Sequence, residues 1–150
     1  VSEPSRKISS SKRSWARRCA AQALYQWQLT DQEPTTITSQ FLADQDLPKA
    51  DPEYFQELVH RVPALAEEID TAFEPFLDRP LAQVDPVERA ILRIGGYELM
   101  QRPDIAYRIV INEAVELAKL FGAEQGHRFV NGVLDKLAHR VRKAEFTNRS

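Results

Sequence analysis

The segment Asp85–Gln101 limits the possible folds more than any other part of the chain. Asp85-Pro86-Val87-Glu88 reads as a helix start. An aspartate caps free N–H groups, a proline suits the first turn, and Glu88 stands three residues later, as in a capping box. Ile91, Leu92, Ile94, Tyr97, Leu99 and Met100 then fall on nearly all sides of the helix. A helix apolar over most of its circumference has no solvent face, so other elements must surround it. Gly95 and Gly96 lie inside it, each costing about 1 kcal/mol of helix propensity relative to alanine. That cost predicts another helix packed closely at this point. Pro103 ends the segment.

The rest of the chain supplies the wrapping, again as helices. A first helix is predicted from about Ser11 to Leu29, with Trp15, Ala16, Cys19, Ala20, Ala23, Leu24 and Trp27 on one arc. Arg17, Arg18, Ala21, Tyr25 and Gln28 fall on the other side, with Arg13 near the boundary. Pro34 opens a short helix through Phe41 and Leu42, and Leu47–Ala50 reads as a linker. Asp51-Pro52-Glu53 starts a helix with Phe55, Leu58, Val59 and Val62 inward, which Pro63 should break or kink. The next runs through Leu65, Ile69, Phe73 and Leu77, bent or ended by Pro75. Ile109–Gly122 holds another, with Ile111, Ala114, Val115, Ala118 and Phe121 toward the core. The last, about Glu124–Arg142, buries Val130, Val133, Leu134, Leu137 and Val141, with Phe129 on the flank. No segment alternates as a strand does. The expectation is an all-α fold of about seven helices: a flexible N-terminal tail over 1–10, a single helical domain over 11–143, and a flexible C-terminal tail over 144–150.

At 150 residues, 43% hydrophobic and 28% charged, the chain suits one domain with a real core rather than a disordered segment. No apolar run approaches the roughly 20 residues of a membrane span, and the first residues lack a secretory signal. Cys19 has no second cysteine to pair with, and His60, His127 and His139 are scattered. No disulfide, metal or cofactor is expected, no membrane partner either, and the cytoplasm is the expected compartment.

The net charge of −2 hides an asymmetry. Residues 1–30 carry a net +5, residues 31–90 a net −10 and residues 91–150 a net +3. A basic start on an acidic body suggests a local anion-binding patch. Arg6 and Lys7 fit a solvated tail, whereas Lys12, Arg13, Arg17 and Arg18 stand at or in the helical pattern. Cations on a helix face neutralise phosphates, and an exposed Tyr25 could stack on an unpaired base. By composition alone, that reading and a plain solvated face with Tyr25 packed inward stand about even. A second patch is the start of the last helix, where Gln125, His127 and Arg128 stand beside free backbone N–H groups and Phe129 could stack; core packing of Phe129 is the stronger alternative.

No catalytic centre is expected. The chain has no Gly-rich phosphate loop, no His-Glu-x-x-His and no nucleophile motif around a serine. Glu113 and Glu116 could be paired acids, but helix-surface charges are far commoner. Cys19 reads as a small core residue. The acidic middle (Glu53, Glu57, Glu67, Glu68, Asp70, Glu74) would repel RNA and could meet a basic protein. Glu88 either completes the capping box or pairs with a partner's cation.

Four ordered blocks carry a family resemblance. Trp15-Ala-Arg-Arg-Cys-Ala-Ala-Gln-Ala-Leu-Tyr25 resembles the opening helix of the NusB family of bacterial transcription antitermination factors, and Val87-Glu-Arg-Ala-Ile-Leu-Arg-Ile-Gly-Gly-Tyr-Glu-Leu99 its central helix. Ile111-Asn-Glu-Ala-Val-Glu-Leu-Ala-Lys-Leu-Phe-Gly122 and Phe129-Val-Asn-Gly-Val-Leu-Asp-Lys136 are similar to its two most specific blocks. The match spans about residues 12 to 142. It implies two packed three-helix halves, binding of the boxA RNA element of ribosomal leader transcripts, pairing with the ribosomal protein NusE, and a place in an antitermination complex on RNA polymerase. Carried over by position, it implies RNA contacts from Arg13 and Arg17, further contacts from Tyr25, Arg128 and Phe129, and a NusE-facing Glu88. Ser14 and Trp15 interrupt the basic run where members often carry arginine, and Arg18 adds a cation. A NusB-like domain also fronts some ribosomal-RNA cytosine methyltransferases, but the catalytic region is lacking here, so the free factor is expected.

Two other readings follow from the same residues. A protein-only helical adaptor would show no RNA preference and would meet its partner through Glu88. An RNA-modifying enzyme would need turnover by the protein alone. The RNA reading predicts that loss of Arg17 weakens binding and flattens its salt dependence.

Overall fold

A computed structural model describes residues 2–43, 50–122 and 125–147, with side chains from residue 11 onward. Every regular element among the described residues is helical. The chain divides into two compact units, Val1–Ala64 and Leu65–Ser150.

The first unit holds three helices: α1 (Ser2–Thr30), α2 (Pro34–Leu42) and α3 (Pro52–Ala64). Helix α1 starts nine residues before the predicted Ser11. Pro4 is its third residue, where the missing N–H is one that has no intrahelical partner anyway. No glycine or proline interrupts residues 5 to 12. The helix ends at Asp31, whose φ of 59° is left-handed and whose N–H donates to the Trp27 carbonyl. Asp51 caps α3 as expected, its carboxylate accepting from the Tyr54 N–H at 3.1 Å. The Asp51 N–H in turn donates to the Lys12 carbonyl, tying the start of α3 to α1. Helices α2 and α3 meet through the Phe41 and Phe55 rings and through buried Thr38, whose hydroxyl lies 3.0 Å from His60 Nε2. Pro63 falls inside the last turn of α3, and the helix stops one residue later. The linker expected over Leu47–Ala50 lies outside the described residues except for Ala50, which is buried.

The second unit is built around α5 (Pro86–Gln101). Ten of its residues are buried, from Glu88 to Leu99 with breaks only at Arg89 and Arg93. Packed on it are α4 (Ala66–Phe73), α6 (Tyr107–Phe121) and α7 (Gly126–Val141). Pro75 ends the α4 segment in a single 3-10 turn, Glu74–Phe76. The two glycines explain the close packing. A Cβ on Gly95 would stand 2.6 Å from Leu134 Cδ1 of α7, and one on Gly96 2.8 Å from Ile69 Cγ2 of α4. Arg93 donates to both oxygens of Asp70 at 2.9 and 2.8 Å, pinning α4 to α5. Asp85 caps α5 through the Val87 and Glu88 N–H groups.

An eighth helix, α8 (Lys143–Thr147), occupies the beginning of the segment read from sequence as a C-terminal tail. Its Glu145 accepts from the Tyr107 N–H at the start of α6, and Phe146 lies between the Tyr107 and His139 rings. Val141, expected in the core, is exposed. The inward position at this end belongs to Arg142, which is buried and donates to the Leu99, Glu98 and Arg102 carbonyls. Ile111, Val115 and Phe121 are half-buried rather than buried, because that side of α6 borders a groove or the helix end.

Candidate nucleic-acid interface

The predicted RNA residues divide between the units, five on α1 and three around the first turn of α7. On α1 the exposed stripe differs from the one predicted. Arg18, Gln22, Tyr25 and Leu29 recur at helical spacing and are half-buried or exposed, with Tyr25 37% exposed. Arg17 and Ala21, expected on the exposed side, are buried, Arg17 at 3% exposure. For Arg17 the reason is Tyr54 of α3, itself buried beside it. The Arg17 guanidinium stands 5.4 Å from the Tyr54 ring centre and that of Arg13 4.9 Å from it. One aromatic ring thus gathers two cations, each held at cation–π distance. Arg18 lies 4.6 Å over the Trp15 ring, so the residue that interrupts the basic run also holds a cation in place. Lys12 is exposed. From Arg18 to Tyr25 is seven residues, about 10 Å along the helix. A cation and an exposed ring at that separation suit a phosphate and a nearby base.

In the second unit, Gln125 and Arg128 are exposed and Phe129 is half-buried. Glu124, the predicted first residue of this helix, lies outside the described residues; α7 starts at Gly126, with Gln125 at its N-cap. Phe129 carries a neighbour that sequence reasoning missed. The Arg79 guanidinium stands 4.6 Å over its ring, and Arg79 also forks onto Asp78 at 2.7 and 3.2 Å. The hydrogen bond from Arg79 holds the Asp78 carboxyl below its ordinary range. Arg79 sits in a connection between Pro75 and Pro80, where no periodicity could have placed it against Phe129. Tyr54 was also missed, although it stands one turn before Leu58 on the buried stripe of α3.

Glu88 is 5% exposed. A Cβ on Gly126 would stand 2.4 Å from its Oε2, so the carboxylate lies directly against the first residue of α7. Burial pushes this carboxyl above its ordinary range, Asp85 adds to the shift, and Arg79 partly offsets it. The charge is turned toward the first turn of α7 rather than displayed on the surface. The described residues hold no group of three or more side chains suited to a metal ion, and no helix is long and apolar enough to cross a membrane.

Comparison with known proteins places this arrangement. The model of the NusB family matches residues 14–139. A Nitrosococcus oceani protein named transcription antitermination protein NusB is 56% identical over 94% of this chain and 95% of its own length. One of the same name from Pseudomonas entomophila is 54% identical over 91% of this chain and 82% of its own length. Among solved structures, T. maritima NusB superposes with a TM-score of 0.73 at 27% identity, covering 89% of this chain and 96% of that one. A chain from a crystal structure of the antitermination factors NusB and NusE in complex with dsRNA gives 0.72 at 29% identity, covering 85% and 96%. With the family model matched over most of its length and relatives identical at more than half of the aligned positions, this chain belongs to the NusB family.

Proposed function

We infer that this protein is a transcription antitermination factor that binds boxA-type RNA of ribosomal leader transcripts together with NusE. It works by scaffolding, as part of an antitermination complex on RNA polymerase in the cytoplasm. Binding, not catalysis, is the role proposed for the chain. The observation that carries the reading is the 56% identity to a transcription antitermination protein NusB over nearly the whole of both chains. The likeness to a chain from a NusB–NusE–dsRNA complex supports the choice of partners. That complex holds double-stranded RNA, whereas the exposed Tyr25 ring favours an unpaired base, so both RNA forms belong in the test.

Lys12, Arg13 and Arg18 meet phosphates on the α1 side, and Tyr25 stacks on a base. Gln125, Arg128 and Phe129 add contacts from α7. Arg17 serves from beneath the surface: it shares Tyr54 with Arg13 and raises the local positive potential. Glu88 serves the NusE-facing side by fixing the first turn of α7 and drawing on Arg79. The test is an anisotropy titration of RNA across salt. Arg13→Ala and Arg18→Ala should each flatten the slope of log affinity against log salt by about 0.7 for a single strand. Tyr25→Ala should cost about 1–3 kcal/mol without changing the slope. Unchanged slopes in both arginine variants would remove the α1 stripe from the RNA site.

A further inference from the structure

Helices α6 and α7 border a groove of about 440 Å³ that none of the predicted contacts uses as a whole. Arg108 and Asn112 line it from α6, and His127, Arg128, Asn131 and Asp135 from α7. Ile111 and Val115 are half-buried along it and give it an apolar surface. Arg128, Asn112 and Asn131 are exposed. Arg108 leans on its neighbour Tyr107, donating to its hydroxyl at 3.2 Å. Tyr107 is itself held by Phe146, whose ring lies tilted against it with the centres 4.3 Å apart.

We propose that this groove is a second RNA subsite, continuing the strand bound at Arg128 and Phe129 and holding at least one further nucleotide. The proposal rests on the RNA reading of the chain and extends it to residues outside the expected set. Charge chooses the occupant: two arginines on opposite walls face one aspartate, which has His139 Nδ1 at 3.8 Å as a neighbour. An anionic chain fits that balance better than an acidic-surface-seeking basic partner does. The side-chain types match the parts of a nucleotide. Arginine takes phosphate, asparagine offers a donor and an acceptor side by side for a base edge, and the apolar surface takes the base's flat face. Arg128 belongs to both patches, which makes the path continuous on α7: Phe129 lies on one flank of it and Asn131 on the other.

The experiment uses the full chain and two RNAs, a short boxA-like strand and the same strand lengthened by several nucleotides at either end. The unchanged protein should gain affinity from one of the two extensions. Arg108→Ala should lose most of that gain, about tenfold for one charge-assisted phosphate contact, and its salt slope on the longer RNA should fall by about 0.7. Affinity for the short strand should stay as it was. Arg108→Lys should restore the slope, which separates a phosphate contact from a packing effect. Asn131→Ala should lose affinity for the extension and keep the slope. Equal affinities of parent and variants for the longer RNA would overturn the groove proposal while leaving the RNA reading intact. Loss of NusE binding by Arg108→Ala in the absence of RNA would assign the groove to protein and overturn it too. No binding of either RNA by the unchanged protein would overturn the underlying RNA reading, and the groove with it.

Discussion

Arg142 offers a sharp test of how the second unit is held together. It is buried, and its guanidinium reaches the Leu99 carbonyl at 2.8 Å, the Glu98 carbonyl at 3.1 Å and the Arg102 carbonyl at 2.9 Å. Glu98 and Leu99 belong to the last turn of α5: the Glu98 carbonyl also accepts the Arg102 N–H, whereas Pro103 has no N–H to offer the Leu99 carbonyl. A cation there also meets the negative end of the helix dipole. Its remaining nitrogen pairs with Glu145, which accepts the Tyr107 N–H at the start of α6. One side chain therefore joins the end of α5, the start of α8 and, through Glu145, the start of α6. Hydrogen bonds to a charged group are worth about 1.5–3 kcal/mol each, but water would reach some of the carbonyls after truncation. Arg142→Ala should then cost about 3–5 kcal/mol, the usual loss when one partner of a buried ionic cluster is removed. For a chain of this length that lowers Tm by roughly 10 °C. Arg142→Lys keeps the charge but not the fork, and should fall between the two. The assay is thermal and urea unfolding followed by circular dichroism. An Arg142→Ala protein melting within about 2 °C of the parent would refute the clamp.

Other predictions concern the glycines and Glu88. Gly95→Ala should destabilise by about 1–3 kcal/mol, because the new methyl meets buried Leu134. Gly132→Ala on α7, where a Cβ meets nothing within 4 Å, should instead stabilise by about 0.5–1 kcal/mol; urea midpoints moving in the same direction for both would contradict the packing. Gly126→Ala should displace the Glu88 carboxylate, and its cost should shrink when Glu88 is also alanine, so additive costs in that cycle would separate the two residues. The raised Glu88 carboxyl means the folded state holds its proton more tightly than the unfolded chain does. The ionised form is thus a cost at neutral pH that is relieved as pH falls through the folded-state value. Measured by melting across pH, the parent should gain on a Glu88→Gln variant over that acid window; a constant difference would argue against it.

The elements most legible in the sequence were those where pattern and chemistry agreed. The Asp85 cap, the all-round burial of α5 and the close approach at Gly95 and Gly96 could each be stated before any coordinates. Asp51 and Pro52 marked the start of α3 for the same reason. What escaped was decided by tertiary neighbours. Periodicity put Arg17 on a polar face, but a partner helix with Tyr54 at the right height buried it. Arg79 lay between prolines, with no period to aim it at Phe129. The short run after Val141 carries too few residues to show a helical period, and only Arg142, Glu145 and Phe146 in contact explain α8. The groove between α6 and α7 was hidden because Ile111 and Val115 read equally well as core.

The central claim is tested most directly by fluorescence anisotropy with a boxA-like RNA and a scrambled RNA of equal length, each single- and double-stranded, with and without NusE. The account predicts preference for the boxA sequence, strengthened when NusE is added. Equal, weak, salt-sensitive binding to all RNAs, unaffected by NusE, would contradict it and leave only nonspecific electrostatics on a helical adaptor.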